Sequence, residues 1–158
     1  MHHATTSCPS FPGIYASEPG SGPQRSLAVS LRILLVDDSL TFVAAMRQCL
    51  CLLPGVHVVG ECHDGFDALH QARVLLPDLV LLDLCMPGMG GMEVARALRL
   101  EPKPPDIVFL SMHEAIAYEA LAQELDALAF INKADFVVRL LPIIEAMVAQ
   151  KTLGINSH

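Results

Sequence analysis

Three aspartates, a serine and a lysine carry the chemistry this sequence can do: Asp37 beside Asp38, then Asp83, Ser111 and Lys133. Each follows a short apolar run: LRILLV before Asp37, LVLL before Asp83, IVFL before Ser111 and LAFI just ahead of Lys133. Singly, each has an ordinary explanation. An Asp pair after a strand is usually a turn or helix cap, a Ser there an N-cap, and a Lys near a strand end a solvated charge. Together they have a physical logic. Three carboxylates held close repel unless one is protonated or a cation lies among them. A hard, oxygen-preferring ion such as Mg²⁺ suits that setting, keeping several waters and completing its shell with phosphate. An aspartate oxygen can attack a phosphoryl group and hold it as an acyl phosphate. The metal and an ammonium then offset charge on the transferring group, and a hydroxyl such as that of Ser111 can donate to a phosphoryl oxygen.

For this chemistry to occur, the five residues must meet at one edge of the fold. From Leu31 onward, short apolar runs alternate with helical patterns. Strands are predicted over Leu31–Val36, Val56–Glu61, Leu79–Leu82, Ile107–Leu110 and Leu128–Ile131. Ser39 is a plausible N-cap for a helix to Leu53, stopped by Pro54-Gly55. A second helix begins after Asp64-Gly65, with Phe66, Leu69, Ala72 and Leu76 at helical spacing until Pro77. Further helices are predicted after the glycine-rich loop 85–91, over Glu114–Leu125 and over Asp135–Gln150. This alternation is the signature of a doubly wound α/β sheet with helices on both faces. Ligands bind at the carboxyl ends of the strands in such sheets, which is where the five residues fall.

Composition narrows the function classes. Apolar residues make up 53% of the 158-residue chain and the mean hydropathy is +0.46, yet no run reaches the ~18 apolar residues of a membrane span. A buried parallel sheet accounts for the excess. The net charge is −7 with no cluster of Lys or Arg, which argues against direct nucleic-acid binding. Five cysteines, at positions 8, 49, 51, 62 and 85, include no CxxC pair. Reduced, mostly buried thiols in a cytoplasmic protein are therefore expected, rather than a zinc site or disulfide framework. Residues 1–30, rich in Ser, Pro and Gly, read as a disordered leader, 31–150 as one domain and 151–158 as a short tail.

The segments ILLVDDS (33–39), LVLLDLCMPGMGGMEVARALR (79–99), IVFLSMH (107–113) and FINKAD (130–135) resemble response-regulator receiver domains of bacterial two-component systems. The resemblance covers Leu31 to Gln150 and implies a flavodoxin-like fold with strand order 2-1-3-4-5. It implies Asp83 as phosphoacceptor, Asp37 and Asp38 as the metal-binding pair, and the main-chain carbonyl of Cys85 as a further ligand for Mg²⁺ (or Mn²⁺). Ser111 aligns with the switch hydroxyl, Lys133 with the family's lysine, and Phe130 with the aromatic that turns inward when the hydroxyl moves. The implied partners are a sensor histidine kinase or histidine phosphotransfer protein and a downstream protein target. LSMHE (110–114) and FINKADFVVRLLPII (130–144) most resemble receivers that precede a helix-turn-helix domain. No second domain fits after the last helix, so a stand-alone receiver is expected, the alternative being a fragment of a DNA-binding regulator. Such a chain is a signalling module, catalysing only its own phosphorylation and dephosphorylation. A metal-dependent phosphatase would need an acid two residues after the nucleophile, where Cys85 stands.

Several neighbours raise expectations of their own. Met112 is larger than the residue many receivers carry there and would shield an acyl phosphate. Cys85 and His113 would at most tune hydrolysis. Asp126 stands where receivers commonly place Gly, in a left-handed helix cap. In the last helix, Phe136, Val137, Leu140, Leu141, Ile143, Ile144, Met147 and Val148 cover an arc of about 160°, wider than the ~100° that core burial needs. That surplus points to an output or homodimer face, or else to a deeply packed helix. Pro142 is expected to kink or restart it.

Overall fold

The computed structural model describes residues 29–113 and 119–156. Five strands, β1 (Leu31–Val36), β2 (Val56–Cys62), β3 (Leu79–Asp83), β4 (Asp106–Ser111) and β5 (Ala129–Asn132), form one parallel sheet in the order β2-β1-β3-β4-β5. Between and after them lie α1 (Leu40–Cys51), α2 (Gly65–Leu75), α3 (Gly91–Arg99), α4 (Glu119–Glu124) and α5 (Phe136–Asn156), with a 3-10 turn at Lys133–Asp135. The expected leader, and the start of the helix expected from Glu114, lie outside the described residues.

Both sheet faces are covered, which explains why the central strands read as continuous apolar runs rather than alternating ones. Leu34, Val36, Val80, Leu82 and Phe109 point to one side, against Ala68, Ala72, Val94, Ala95 and Leu98 of α2 and α3 and Ala122 of α4. Ile33, Leu35, Leu79, Leu81, Val108 and Ile131 point to the other, against Val43, Met46 and Leu50 of α1 and Leu140 and Ile144 of α5. Ser39 caps α1 as expected, its Oγ accepting from the Phe42 N–H at 3.3 Å, although the helix ends two residues before Leu53.

The last helix departs from its expected bounds. It runs unbroken through Pro142 to Asn156, beyond the boundary expected at Gln150. Pro142 does not restart it; the residue four before it, whose carbonyl loses its usual N–H partner, is Val138, 76% exposed. The extra turns are anchored by Lys151, whose Nζ meets the Ser30 carbonyl at 2.9 Å and Asp78 Oδ2 at 2.5 Å. Most of the wide apolar arc is consumed by packing. Leu140 and Ile144 are buried and Phe136, Ile143, Met147 and Val148 lie against the core, which leaves Val137 and Val138 exposed near its start.

Asp126 has φ +54°, so the left-handed cap is kept although Asp replaces the glycine common there. Its N–H donates to the Gln123 carbonyl and that of Ala127 to the Ala122 carbonyl, closing a Schellman motif after α4. Its carboxylate also helps to raise the Asp106 pKa, where burial is the larger cause. Asp126→Gly should therefore stabilise the fold by about 1 kcal/mol. Calorimetry should find a higher Tm, and a lower one would contradict the strain argument.

Gly91 is required by close approach. A Cβ there would lie 2.3 Å from the Asp83 carbonyl oxygen and 2.9 Å from the Leu84 Cα, both backbone atoms that cannot swing aside. Gly91→Ala should cost about 2 kcal/mol, lowering Tm by roughly 5–10 °C in a thermal melt. An unchanged Tm would mean that the loop yields freely.

Candidate functional site

The carboxyl ends of β1, β3, β4 and β5 deliver the five predicted residues to one edge of the sheet. Asp37 follows β1 and is fully buried; Asp83 ends β3 and is 3% exposed; Ser111 ends β4 and is 1% exposed. Asp38 is exposed, and Lys133 opens the 3-10 turn after β5. One carboxylate oxygen from each of Asp37, Asp38 and Asp83 lies within 4.8 Å of the others. The Lys133 ammonium, on a side chain only 10% exposed, sits 2.6 Å from Asp37 Oδ2 and 3.5 Å from Asp83 Oδ1.

Local hydrogen bonds orient these groups. Asp37 Oδ1 accepts from the Ser39 N–H at 2.8 Å, so the residue that caps α1 also holds the first aspartate. His63 Nδ1 lies 3.1 Å from the Asp37 carbonyl. The Cys85 N–H donates to Asp83 Oδ1 at 3.3 Å, and the His113 N–H to Ser111 Oγ at 3.0 Å. Asp37 Oδ2, although close to Lys133, has no hydrogen bond. We read that contact as Coulombic and obliquely aimed, which leaves a buried oxygen with capacity for another electropositive partner.

Burial pushes the Asp83 carboxyl up to about 7, reinforced by the negative charge of Asp37 and a hydrogen bond with the Asp38 carboxyl, while Lys133 and the Cys85 N–H pull it down. A carboxylate cluster with a single ammonium among three aspartates, and with one carboxyl driven toward its neutral form, is short of positive charge. An all-oxygen donor set of this kind fits a hard divalent cation.

The neighbours behave less uniformly. Phe130 is 8% exposed, in the core on the Phe109 side of the sheet. Met112 is 72% exposed. Cys85 and His113 are exposed. The expectation of reduced, buried thiols needs correction. Cys49, Cys62 and Cys85 are free, but only Cys62 is buried, its thiol pushed up to about 12 chiefly by burial. Cys51 is disulfide-bonded.

Two aromatic residues belong to the site that spacing did not reveal. The Lys133 ammonium lies 4.8 Å from the centre of the Phe42 ring, and Phe42 meets Phe136 edge to face at 5.1 Å and 87°. Phe42 stands three residues after Ser39 on α1, hence on the same helix face. That was the only signal available, and it says nothing of a lysine some ninety residues away.

Among known proteins, the family described as Response regulator receiver domain matches residues 33–145. A protein-glutamate methylesterase/protein-glutamine glutaminase of Myxococcus xanthus is 38% identical over 104 residues, 65% of this chain and 30% of its own length. The response regulator UvrY of Escherichia coli is 33% identical over 103 residues, 65% of this chain and 47% of its own. This chain thus spans less than half of either relative. A solved two-component response regulator of the LuxR family from Aurantimonas superposes with a TM-score of 0.70 at 29% identity, covering 82% of this chain and 99% of that one.

Proposed function

This chain belongs to the response regulator receiver domain family, and from that membership we propose that it is a phosphorylation-dependent switch with Asp83 as its phosphoacceptor. The observation that carries this reading is the placement of Asp83 within 4.8 Å of two further carboxylates and 3.5 Å from the Lys133 ammonium. The phosphodonor is a sensor histidine kinase or histidine phosphotransfer protein. Asp37, Asp38, Asp83 and the Cys85 carbonyl would hold Mg²⁺ or Mn²⁺, which would supply positive charge to the phosphoryl oxygens.

Within this reading the residues divide the work. An Asp83 carboxylate oxygen forms the new bond to phosphorus as the bond from phosphorus to the donor imidazole nitrogen breaks. Lys133 neutralises charge on the transferring group. The Ser111 hydroxyl, accepting from the His113 N–H, keeps its own hydrogen to donate to a phosphoryl oxygen. β4 and β5 pair through Phe109 with Phe130 and Ser111 with Asn132, so movement at Ser111 is passed to the Phe130 strand. Phosphorylation then shifts an existing equilibrium between two arrangements. Output passes through protein–protein contact in the cytoplasm, the exposed Val137 and Val138 beside β5 offering a surface for a target or a second copy. A second reading, a receiver from a DNA-binding regulator lacking its output domain, is supported by the 41% identity to a probable transcriptional regulatory protein NarL of Mycobacterium tuberculosis, of which the chain spans 44%.

The test is intact mass after incubation with acetyl phosphate and Mg²⁺. A gain of one phosphoryl group is expected in the unaltered protein, and none in Asp83→Ala or without metal. A folded, metal-supplied protein that gains nothing from acetyl phosphate or a phosphohistidine donor would overturn the proposal.

A further inference from the structure

The geometry points to Phe42, braced by Phe136, as the positioning residue that holds the Lys133 ammonium over the carboxylates. This inference rests on the reading of Asp83 as phosphoacceptor and adds a residue from α1 to its machinery. A lysine head is a compact, strongly hydrated charge on four rotatable bonds, so a carboxylate alone seldom fixes its position. Here the head has carboxylate oxygens at 2.6 and 3.5 Å and an aromatic ring at 4.8 Å. The ring offers the negative face of its quadrupole to the cation without competing for its N–H groups. The N–H groups are thereby left to the carboxylate oxygens of Asp37 and Asp83.

The ring is itself fixed from two sides. The Phe42 N–H is held by the Ser39 cap at the start of α1. Its ring meets Phe136, the first residue of α5, edge to face at 5.1 Å, an orientation that aromatic pairs prefer. Asn132 Oδ1 accepts from the Ala134 N–H at 2.9 Å and so shapes the 3-10 turn that carries Lys133. Two helix starts and one turn thus converge on a single ammonium. The same backbone segment that begins with Ser39, whose N–H orients Asp37, therefore also orients the charge that answers Asp37.

The prediction separates a cation-holding ring from a merely space-filling one. Phosphorylation by acetyl phosphate is followed in full-length protein carrying phenylalanine, difluoro-, trifluoro- or tetrafluorophenylalanine at position 42. Fluorination weakens the ring's quadrupole while nearly preserving its shape. The maximal rate is expected to fall stepwise with fluorine number, by about 3- to 10-fold across the series, with little change in the half-saturating acetyl phosphate concentration. Phe42→Tyr should keep the rate and Phe42→Leu lose it. In a Lys133→Ala background the fluorine series should have no effect. Equal rates across the series, or the same stepwise loss without Lys133, would overturn the inference. Failure of the underlying reading is distinguishable, because the unsubstituted protein would then gain no phosphoryl group at all. If Phe42→Leu does not fold, the fluorine series still decides.

Discussion

Asp83→Asn is expected to make the metal-free protein more stable than the unaltered one at neutral pH, although it removes the group on which the proposed function depends. Burial and the Asp37 charge hold the Asp83 carboxyl at about 7, far above its ordinary range. In the unfolded chain the same group ionises near pH 4. Between those two values the folded state binds more protons than the unfolded state, so stability falls as pH rises through the window. Above about pH 7 the full penalty remains, on the order of a few kcal/mol for a group this buried. Asn carries no charge and its amide can donate toward Asp37 or Asp38, as the protonated acid does. Thermal melts without metal from pH 4.5 to 8 should show the unaltered protein losing more Tm than Asp83→Asn. The difference should reach roughly 5–15 °C at the upper end. Saturating Mg²⁺ should raise the Tm of the unaltered protein more than that of the variant. Parallel pH profiles would mean that Asp83 is not strained by its surroundings.

Lys133→Ala should move two measurements in opposite directions. Removing a positive charge 2.6 Å from Asp37 and 3.5 Å from Asp83 leaves the acidic cluster more negative. A divalent cation should then bind several-fold to about tenfold more tightly, since nearby charges in a partly buried site are weakly screened. Phosphorylation by acetyl phosphate should nevertheless slow by roughly 100-fold or more, because in the proposed reaction the lysine neutralises charge on the transferring group. Isothermal titration with Mg²⁺ and a phosphorylation time course check the two halves. Weaker metal binding together with slower phosphorylation would indicate that Lys133 instead supports the fold of the acidic pair.

The fold was largely legible in the sequence because a doubly covered parallel sheet writes its strands as unbroken apolar runs. LRILLV and LVLL needed no partner to be read as strands, and Pro54-Gly55 and Pro77 marked where helices must stop. The residues at the strand ends were legible for the same reason, since the α/β alternation places all carboxyl ends on one edge. The strand order came through family resemblance, because periodicity holds no information on which strands pair.

Helix ends and side-chain company were less legible. Pro142 read as a kink or a restart, yet α5 continues through it as one helix. The chain beyond Gln150 read as a tail, yet Lys151 ties it to Asp78 and Ser30 across the domain. The wide apolar arc of α5 left an output face and a deeply packed helix both open, and the core uses most of it. Asp126, in a position where the resemblance implies glycine, put the local geometry in question, and the structure keeps the left-handed conformation there.

By itself the sequence determined which groups are candidates for the site, the elements that carry them and the edge on which they meet, because the elements and the edge follow from local periodicity and the handedness of the connections. Only the tertiary structure decided which groups touch. The close contact of Asp37 with Lys133, the elevated Asp83 carboxyl and the aromatic pair against Lys133 arise from contacts between segments far apart in the chain. Burial, charge separation and ring orientation belong to the packed arrangement of those segments and have no signature in any one of them.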